Sequence, residues 1–382
     1  LVGDAEITHE AGTPYEDAGV TLTTGSGQTL PTAFVQIAGV PDGSTLGTYS
    51  ITYNYTSTSG TKAVEISRTV HVADTTPPVI TLVGGPIIHK KGSEFSDPGA
   101  RAIDALDGEV RVIRAGVIPN EGLVLHLDAG QIEGLEEGSV VNSWSDLSPA
   151  GNDADNVKDN PTWHADVVGG RPVVRFDGGD LLWTTTDFSI TKEYSIISVA
   201  RYTGGDSERV ISSRGMNWLF GFHGNTYRRW YANGWIWNQG GSDTSWHLHA
   251  GSIGEDALGT FWVDRELICS DKSGANPGSF SPGVIQLGGY NDNNELSRCE
   301  VAELLFYDRK LSEIELIAVQ SLLDGKYGLD FGEITTATAL DVNTPGIYTL
   351  EYITADKAGN TSTASRKVVV EEGSTLPVIT LK

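Results

Sequence analysis

Basic residues are scarce in this sequence of 382 residues: 26 Lys and Arg stand against 50 Asp and Glu, a formal net charge of −24. Nucleic acids and anionic membranes are bound through basic surfaces, so this balance argues against both classes of partner. No apolar run approaches the roughly 20 residues that span a bilayer, and we expect no membrane insertion. An acidic surface suits an exported protein that meets salt and divalent cations.

Cysteine and methionine are nearly absent. Cys269 and Cys299 are the only cysteines, and two alternatives stay open for them: one disulfide, or two buried free thiols. Met216 is the only methionine, and the chain begins at Leu1 without the basic and apolar pattern of a signal peptide. We therefore expect this chain to be a piece of a longer exported protein.

Glycine is abundant, with 46 residues beside 15 prolines, which favours many turns and short strands. Hydrophobic residues make up 39% of the chain and charged residues 20%, enough apolar side chain to build cores. The length is too great for one ordinary domain. The composition therefore predicts an all-β protein of two or three domains.

An internal repeat organises the chain. Residues 12–19 recur 80 positions later as residues 92–99, with Gly, aromatic, Asp and Gly in matching places. Residues 47–53 recur only 299 positions later, as residues 346–352. The two offsets differ by 219 residues, which is the size of an inserted domain. The second repeat is thus predicted to be split by an insertion.

This interpretation predicts the following domains: 1–74 as repeat 1, 75–118 as the first half of repeat 2, 119–329 as the insertion, 330–372 as the second half of repeat 2, and 373–382 as a linker and the start of a third repeat. Alternating Tyr49, Ile51 and Tyr53 predict strands with one buried face in each repeat.

The repeats resemble the bacterial immunoglobulin-like (Ig-like) repeats of secreted and surface proteins, the type also known from a pesticidal crystal protein. The segments that carry the resemblance are 15–19, 79–82, 104–109 and 356–360. The resemblance implies β-sandwiches whose partners include the neighbouring repeats of the same chain, and a cell-surface or secreted location. Repeat 1 departs from the pattern, because Gly25-Ser26-Gly27 and Ser57-Thr58-Ser59-Gly60 replace the acidic turns.

The insertion carries a different ordered set of motifs, at residues 122–130, 141–154, 170–178 and 301–309. After them, Ser312 and Glu315 form a capping box for a short helix with Ile314, Ile317, Ala318 and Leu322 as its apolar stripe and Gly325 as its stop. The set resembles the laminin-G-like jelly roll of the concanavalin A-like lectin/glucanase superfamily. That resemblance implies two packed antiparallel sheets and binding of carbohydrate or protein; some relatives are glycoside hydrolases.

An aromatic stretch from Trp218 to Trp246 is the candidate ligand surface, since sugar rings stack on aromatic faces while amides and charged groups bind their hydroxyls. Asn233-Gly234 predicts a hairpin turn there, and period-2 alternation places Trp235 and Trp237 on one face. The predicted ligand-binding residues are Tyr227, Arg229, Trp230, Tyr231, Asn233, Trp235 and Trp237. The alternative is that this stretch is hydrophobic core, as Trp218-x-Phe220-x-Phe222 suggests.

Calcium is the one ion that the oxygen-rich turns favour. The predicted ligands lie in three turns: Asp104 with Asp107, Asp177 with Asp180, and Asp292 with Glu295. The alternative for each turn is an ordinary solvated loop. A zinc site at His247 and His249 is a further alternative that would need a third ligand.

Catalysis finds little support in the sequence. A retaining glycosidase needs two carboxylates about 5 Å apart on one face. The closest pair is Glu300 and Glu303, and a separation of three residues on a regular strand puts them on opposite faces. We therefore expect no enzyme but a carbohydrate-binding, adhesive region that recognises polysaccharide or glycoprotein glycans, with calcium as its ion. A structural or protein-binding surface array is the first alternative, and a glycoside hydrolase the second.

Overall fold

The computed structural model of the chain describes residues 1–331 and 340–372. The chain divides into two compact units, Leu1–Arg114 together with Asp341–Lys382, and Ala115–Leu340. The second, called the inserted unit below, contains the predicted range 119–329. The predicted linker and third repeat at 373–382 lie outside the described residues.

The elements follow one another along the chain. Repeat 1 contains β1 (Glu6–Glu10), β2 (Leu22–Thr23), β3 (Thr29–Leu30), a 3-10 turn (Thr32–Phe34), β4 (Gln36–Ala38), β5 (Gly47–Asn54) and β6 (Ile66–Ala73). The first half of repeat 2 contains β7 (Val79–Leu82), β8 (Ile87–Lys90), β9 (Ala100–Asp104), β10 (Gly108–Val110) and β11 (Val112–Arg114). The inserted unit begins with β12 (Leu123–Asp128), a 3-10 turn (Ala129–Gln131), β13 (Asn156–Lys158), β14 (Thr162–Val168), β15 (Arg171–Asp177), β16 (Leu181–Asp187), β17 (Tyr194–Ser207), β18 (Ile211–Arg214) and β19 (Trp218–His223).

The inserted unit continues with β20 (Thr226–Ala232), β21 (Trp235–Asn238), β22 (His247–Ile253), β23 (Leu258–Val263), β24 (Glu266–Ser273), β25 (Val284–Leu287), β26 (Ser297–Tyr307) and helix α1 (Glu313–Tyr327). The second half of repeat 2 contains β27 (Gly346–Ala355) and β28 (Thr361–Glu371). The described residues are thus mostly β-strand with one α-helix, and the all-β fold class is confirmed.

Repeat 2 is assembled from both sides of the insertion. One sheet has the strand order β11-β27-β28-β8, in which β8 and β11 precede the inserted unit and β27 and β28 follow it. Val112 is registered against Thr354, and Ile87 lies parallel to Val368. Repeat 1 has the same parallel pairing within one continuous segment, with β1 beside β6. The predicted splitting of an Ig-like repeat is confirmed.

A buried arginine ties the two halves of repeat 2 together. Arg366 on β28 is 1% exposed and donates to the Asp97 carboxylate at 3.1 Å and to the carbonyl oxygens of Val83 and Gly99 at 2.7 and 2.9 Å. Tyr352 on β27 donates its hydroxyl to the same Asp97 oxygen at 2.6 Å. Side chains from after the insertion thereby satisfy polar groups from before it.

Repeat 1 contains the same network without the interruption. Arg68 is buried and pairs with Asp17, and it also donates to the carbonyl oxygen of Val2. Tyr53 donates to Asp17 at 2.7 Å. Tyr53 and Tyr352 occupy equivalent positions in the sequence repeat. The shared network therefore shows that the two sandwiches are also structural repeats.

The inserted unit is a sandwich of two antiparallel sheets. One has the order β14-β15-β26-β17-β22-β23-β24, with β12 also paired to β26, and the other has the order β13-β16-β25-β18-β19-β20-β21. We call them the eight-stranded and the seven-stranded sheet. Buried side chains such as Phe220, Trp230 and Phe306 fill the space between them. The predicted core face Trp218-x-Phe220-x-Phe222 is part of this core.

Helix α1 covers the outer side of the eight-stranded sheet. The predicted capping box of Ser312 and Glu315 is present. The apolar stripe differs from the prediction, because Ile317 and Leu322 are only half-buried. The residues that pack on the sheet are Leu316, Val319, Leu323 and Tyr327.

The end of helix α1 also differs from the prediction. The helix passes through the predicted stop at Gly325 and ends at Tyr327. The next residue, Gly328, caps it with a φ of +58°, the left-handed conformation that glycine adopts readily. Burial of Tyr327 against the sheet explains the continuation, since packing outweighs the roughly 1 kcal/mol cost of an interior glycine.

Both ends of the inserted unit pack against the apolar core between helix α1 and the eight-stranded sheet. Ile118 does so at one end, and Leu329 and Phe331 do so at the other. Their proximity is what insertion into another domain requires. In residues 1–331 and 340–372, no helix has both the length and the apolar character needed to cross a membrane.

Candidate functional site

An open polar pocket of about 820 Å³ lies at one end of the inserted unit. It is formed where β17 ends, where β19 turns into β20, and where the loop before β26 returns. Carboxylates and amides dominate its lining: Asp206, Glu208, Asn225, Asn293, Asn294 and Glu295. Both kinds of group can accept hydrogen bonds from hydroxyls, and the amides can also donate to ring oxygens.

His223 joins two of the acids in this pocket. Its Nε2 lies 3.3 Å from Glu295 and 3.8 Å from Glu208. The other oxygen of Glu295 is 2.5 Å from the buried Arg209 guanidinium, which lies over the Tyr290 ring. Arg209 therefore fixes Glu295 in place and leaves one of its oxygens directed toward His223.

Beside the pocket lies a group of half-buried side chains that we call the aromatic ledge: Arg229, Tyr231 and Trp235. The rings of Tyr231 and Trp235 meet edge to face at 5.0 Å, and the Arg229 guanidinium lies 5.7 Å from the Trp235 ring. The ring centres of His223 and Trp235 are 6.0 Å apart, so His223 lies between the ledge and the acids of the pocket. Flat rings next to hydrogen-bonding groups are what a carbohydrate site requires.

The predicted hairpin positions the ledge. Asn233, with a φ of +54°, and Gly234 form the turn between β20 and β21, as the Asn-Gly dipeptide predicts. The side chain of Asn233 donates to Ser279 at 3.1 Å. Asn233 thus holds the turn against a neighbouring loop and does not belong to the ledge.

Trp230 and Tyr227 do not belong to it either. Trp230 is fully buried in the core between the sheets, so it offers no surface to a ligand. Tyr227 stacks on the ring of His247 at 3.7 Å and packs against the same core. The prediction missed this because an aromatic-rich strand presents alternate rings to its two sides, and composition does not say which side is solvated.

Trp237 departs from the prediction through a register shift. Tyr231 is registered against Trp235, but Trp230 is registered against Trp237, with an irregularity between the two pairs. Residues directly opposite in an antiparallel pair share a face. Trp237 therefore lies with Trp230 and packs against the core, whereas Trp235 lies with Tyr231.

Sequence reasoning missed Glu208 and Arg209 as members of the site. The signal was the acidic stretch Asp206-Ser207-Glu208 at the end of the long strand β17. Only the fold shows that this stretch meets the loop before β26.

Two of the three predicted calcium turns hold their carboxylates with protein groups. Asp180 is buried and accepts the backbone N–H groups of Asp177 and Asn160 at 2.8 and 2.9 Å. Asp292 pairs with Arg214, while Glu295 pairs with Arg209. Asp177 with Asp180 therefore forms a turn, and Asp292 and Glu295 are drawn to separate arginines.

The third predicted turn separates its two acids. Asp107 accepts from the backbone and the ammonium of Lys357 at 2.7 and 2.8 Å. Asp104 has a different role, because its Oδ1 accepts the N–H groups of Leu106 and Asp107. Asp107 is thus the partner of Lys357 and not a shared ligand with Asp104.

The two cysteines are free thiols. Cys269 lies on β24 and Cys299 on β26, and β17, β22 and β23 lie between those strands in the sheet. Four steps of about 4.8 Å separate the cysteines by roughly 19 Å, well beyond the limit of about 7 Å for a disulfide. The disulfide alternative is therefore wrong.

His247 and His249 belong to the interior. His247 is held between Asp264 at 2.7 Å and Asp243 at 2.9 Å, so both of its nitrogens are occupied. Although burial lowers the pKa of His247, these two carboxylates raise it overall. Both nitrogens of His247 already have protein partners, which removes it as a zinc ligand.

His249 is fully buried, and burial lowers its pKa to about 4. Its Nε2 donates to the carbonyl oxygen of Tyr227, and its Nδ1 has no partner. Gly221, which has a φ of +83°, packs against this side of the ring: a Cβ at that position would lie only 3.0 Å from Nδ1. A proton on Nδ1 would therefore have no acceptor.

The inserted unit is expected to lose stability as pH falls from about 6.5 to 4. Unfolded His249 binds a proton near pH 6.5, whereas the folded side chain resists it until about pH 4, so acid favours unfolding. The shift corresponds to about 3 kcal/mol at pH 4. Urea unfolding followed by tryptophan fluorescence at several pH values measures this loss.

The matched variant is His249→Gln, which keeps a donor for Tyr227 but cannot titrate. It should have a shallower slope of unfolding free energy between pH 6.5 and 4 than the parent chain. His247 acts in the opposite direction in both proteins, because its raised pKa adds stability on acidification. Equal slopes for the two proteins would contradict the role given to His249.

Glu300 and Glu303 on β26 do not lie on opposite faces of the sheet, as a regular strand predicts. The pairing of β17 with β26 has an irregularity, since Val199 faces Glu303 and Ala200 faces Val301. Val301 and Leu304 both enter the core, while Ala302 packs on the helix side. Glu300 and Glu303 therefore lie on the same outer side of the sheet, because a bulge cancels the period-2 rule.

Both of these carboxylates are engaged by cations. Glu300 lies between Arg175 and Arg201, at 2.5 and 2.7 Å. Glu303 accepts from Lys326 and His126. Burial raises the pKa of Glu303, but His126 and Lys326 more than offset this and hold it below its usual range. An acid catalyst needs a raised pKa, so Glu303 does not resemble the acid of a glycosidase dyad.

Comparison with solved structures finds distant likenesses. A mutant of Trypanosoma rangeli sialidase displaying trans-sialidase activity is 13% identical, with 57% of this chain and 35% of that chain covered and a TM-score of 0.38. The binding domain of Paraclostridial Mosquitocidal Protein 1 is 13% identical, with 53% and 52% covered and a TM-score of 0.36. This chain thus spans about a third of the first protein and half of the second.

A further likeness is domain 4 of AbnA, a GH43 extracellular arabinanase from Geobacillus stearothermophilus, in complex with arabinotriose. It is 15% identical, with 47% of this chain and 98% of that domain covered and a TM-score of 0.35. No curated protein matches this chain.

The repeats match a described family. Residues 1–72 and 324–370 match the family model "Bacterial surface protein, Ig-like domain", on either side of the β-sandwich. The chain thus contains segments similar to a bacterial surface Ig-like domain on both sides of an inserted β-sandwich.

Proposed function

We propose that the inserted unit binds a glycan, part of a polysaccharide or glycoprotein, without turning it over. The observation that carries the proposal is the aromatic ledge of Arg229, Tyr231 and Trp235 beside the acidic and amide-lined pocket. A pyranose ring stacked on Trp235 would have its hydroxyls within reach of such polar groups, and stacking with several hydrogen bonds is the usual basis of lectin affinity.

We further propose that the Ig-like repeats present this unit at the bacterial cell surface or on a secreted protein, in an adhesive or substrate-targeting role. The family match of the flanking repeats supports a surface location. The net charge of −24 favours a neutral or cationic ligand, or one bridged by a cation, over a polyanion bound directly.

Replacing Trp235 by alanine should weaken glycan binding at least tenfold, about 1.4 kcal/mol, because the stacking surface is lost. Trp235 is half-buried, so the tryptophan-monitored unfolding midpoint should stay near that of the parent chain. A glycan array identifies a ligand, and titration calorimetry with that ligand then compares the two proteins.

The matched control is Trp246→Ala, which removes another half-buried tryptophan, located under Arg201 at the start of β22. It should retain ligand affinity. Equal losses in both variants, or a large fall in the melting temperature of Trp235→Ala, would show that Trp235 is structural. Release of reducing sugar from a bound glycan would contradict binding without turnover.

A protein-binding array is a second candidate, favoured by one specific surface. Ile88 on β8 and Ile347 on β27 are 74% and 70% exposed, and both are registered against Val369 of the strand between them. An exposed apolar row on a sheet is a surface that a protein can cover. Sedimentation that shows self-association, together with no binding on a glycan array, would favour this second function.

A further inference from the structure

Three aspartates converge where repeat 1 meets repeat 2. Asp74 follows the last strand of repeat 1, Asp104 ends β9, and Asp356 lies in the turn after β27. One carboxylate oxygen from each lies within 4.8 Å of the other two. We call these residues the three-aspartate cluster; it draws on repeat 1 and on both halves of repeat 2.

The cluster contains carboxylate oxygens without a partner. Asp104 is 3% exposed, and its Oδ2 is buried with no hydrogen bond, although its Oδ1 caps the following turn. The Oδ2 of Asp74 is likewise buried and unpartnered. A buried carboxylate oxygen without a donor costs free energy, so two of them facing a third acid indicate a missing positive partner.

Within residues 1–331 and 340–372, the side chains described at the cluster do not supply that charge. Asn360 contributes a neutral amide, which donates to the Asp356 carboxylate at 2.8 Å and to the carbonyl oxygen of Asp74 at 3.1 Å. The Lys357 ammonium is held by Asp107. Burial, together with the charges of Asp104 and Asp356, raises the pKa of Asp74, as expected for acids that repel one another.

We propose that the three-aspartate cluster is a calcium site that links repeat 1 to repeat 2. The chemistry fits a hard cation, since all three side chains offer oxygen and none offers nitrogen or sulfur. Two ligands on opposite sides of an ion at about 2.4 Å are about 4.8 Å apart, and the three oxygens all lie within that distance of one another. Backbone carbonyls and water would complete the shell.

This site differs from the one that the sequence predicted. Asp104 is retained as a ligand, Asp107 is replaced, and Asp74 and Asp356 are added from positions 30 and 252 residues away. The positions in repeat 1 that align with Asp104 and Asp356 are Thr24 and Ser57, so repeat 1 lacks the equivalent acids. Repeat 1 therefore cannot supply the same two ligands.

A bound ion would stiffen the junction. Thr75-Thr76-Pro77-Pro78 is the segment that connects the repeats, and Asp74 directly precedes it. Leu106, next to the cluster in repeat 2, packs against the core of repeat 1. Calcium would thus add a charged link to a small apolar contact and hold the two repeats in one arrangement.

The test is calcium titration of the whole chain after removal of metal by a chelator, with hydrogen exchange measured in calcium and in chelator. We expect dissociation constants of about 10⁻⁴ to 10⁻³ M, the range of extracellular calcium modules. Peptides that contain Asp74, Asp104 and Asp356 should exchange at least tenfold more slowly with calcium. Unchanged exchange in these peptides would overturn the proposal, even if calcium bound elsewhere.

Asp104→Asn should weaken calcium binding at this site at least tenfold, since the amide can still cap the turn but carries no charge. The matched control is Asp107→Asn, which removes a neighbouring acid in the same turn and should change the affinity by less than threefold. Equal affinities for Asp104→Asn and the parent chain would overturn the proposal. Asp74→Asn, at a half-buried position, gives the same test should Asp104→Asn fail to fold.

Discussion

Lys326→Met is expected to destabilise the inserted unit by about 3 kcal/mol at neutral pH. Lys326 bonds Asp128 at 2.7 Å and Glu303 at 2.5 Å, and both carboxylates are at least 95% buried. Removal of one partner leaves buried charge uncompensated, which costs far more than an exposed ion pair contributes. Methionine keeps most of the apolar stem, so the loss reports the charge.

Tryptophan fluorescence makes this measurement specific, because all nine tryptophans lie between residues 144 and 262. The urea midpoint of Lys326→Met should fall, and the deficit should shrink in acid, where Glu303 takes up a proton. The matched control is Lys310→Met, whose ammonium is 3.8 Å from the exposed Asp271. Such surface pairs contribute little. Equal midpoints for the two variants would contradict this account.

Arg366→Met is expected to destabilise repeat 2 by about 3–5 kcal/mol. The change leaves the Asp97 carboxylate and the carbonyl oxygens of Val83 and Gly99 without their buried donor. Amide exchange of peptides from β8 and β28 should accelerate at least a hundredfold. The tryptophan-monitored unfolding of the inserted unit should change little.

Arg68→Met is the matched variant, since Arg68 has the same role with Asp17 in repeat 1. It should accelerate exchange in β1 and β6 and leave β28 protected. If Arg366→Met accelerated amide exchange in β28 but not in β8, this would contradict the assembly of repeat 2 from both chain segments.

The sequence was sufficient to predict the architecture because the repeat signal survives the insertion. Glycine and aspartate at turn positions, and tyrosines with period 2, must keep their places for a second copy of the sandwich to fold. The repeat aligned Tyr53 with Tyr352, and the structure explains why both are tyrosine. Tyr53 donates to Asp17, and Tyr352 makes the same contact with Asp97.

The candidate site was only partly predictable, because periodicity fails at irregular pairings. The irregularity in the pairing of β20 with β21 sends Trp237 to the core, and the one on β26 brings Glu300 and Glu303 to the same side. Neither irregularity leaves a signal in a single sequence. Trp235 and its partner Tyr231 were found because the Asn233-Gly234 turn fixed the hairpin.

Ionic partners were the least predictable feature. An acidic turn such as Asp104–Asp107 has the same composition whether its carboxylates bind a cation, a lysine or backbone N–H groups. The fold decides this, by placing Lys357 beside Asp107 and Asp74 beside Asp104. Contacts between residues so distant in sequence depend on the tertiary structure and cannot be predicted from the local sequence.

The central claim is that residues before and after the insertion form one Ig-like sandwich, and a double-mutant cycle between Asp97 and Arg366 tests it most directly. The free energy of unfolding of repeat 2, taken from amide exchange, is compared for the parent chain, Asp97→Asn, Arg366→Met and the double variant. The account predicts a coupling free energy of at least about 1.5 kcal/mol between residues 269 positions apart. Additive effects of the two substitutions would place these residues in separate modules and contradict it.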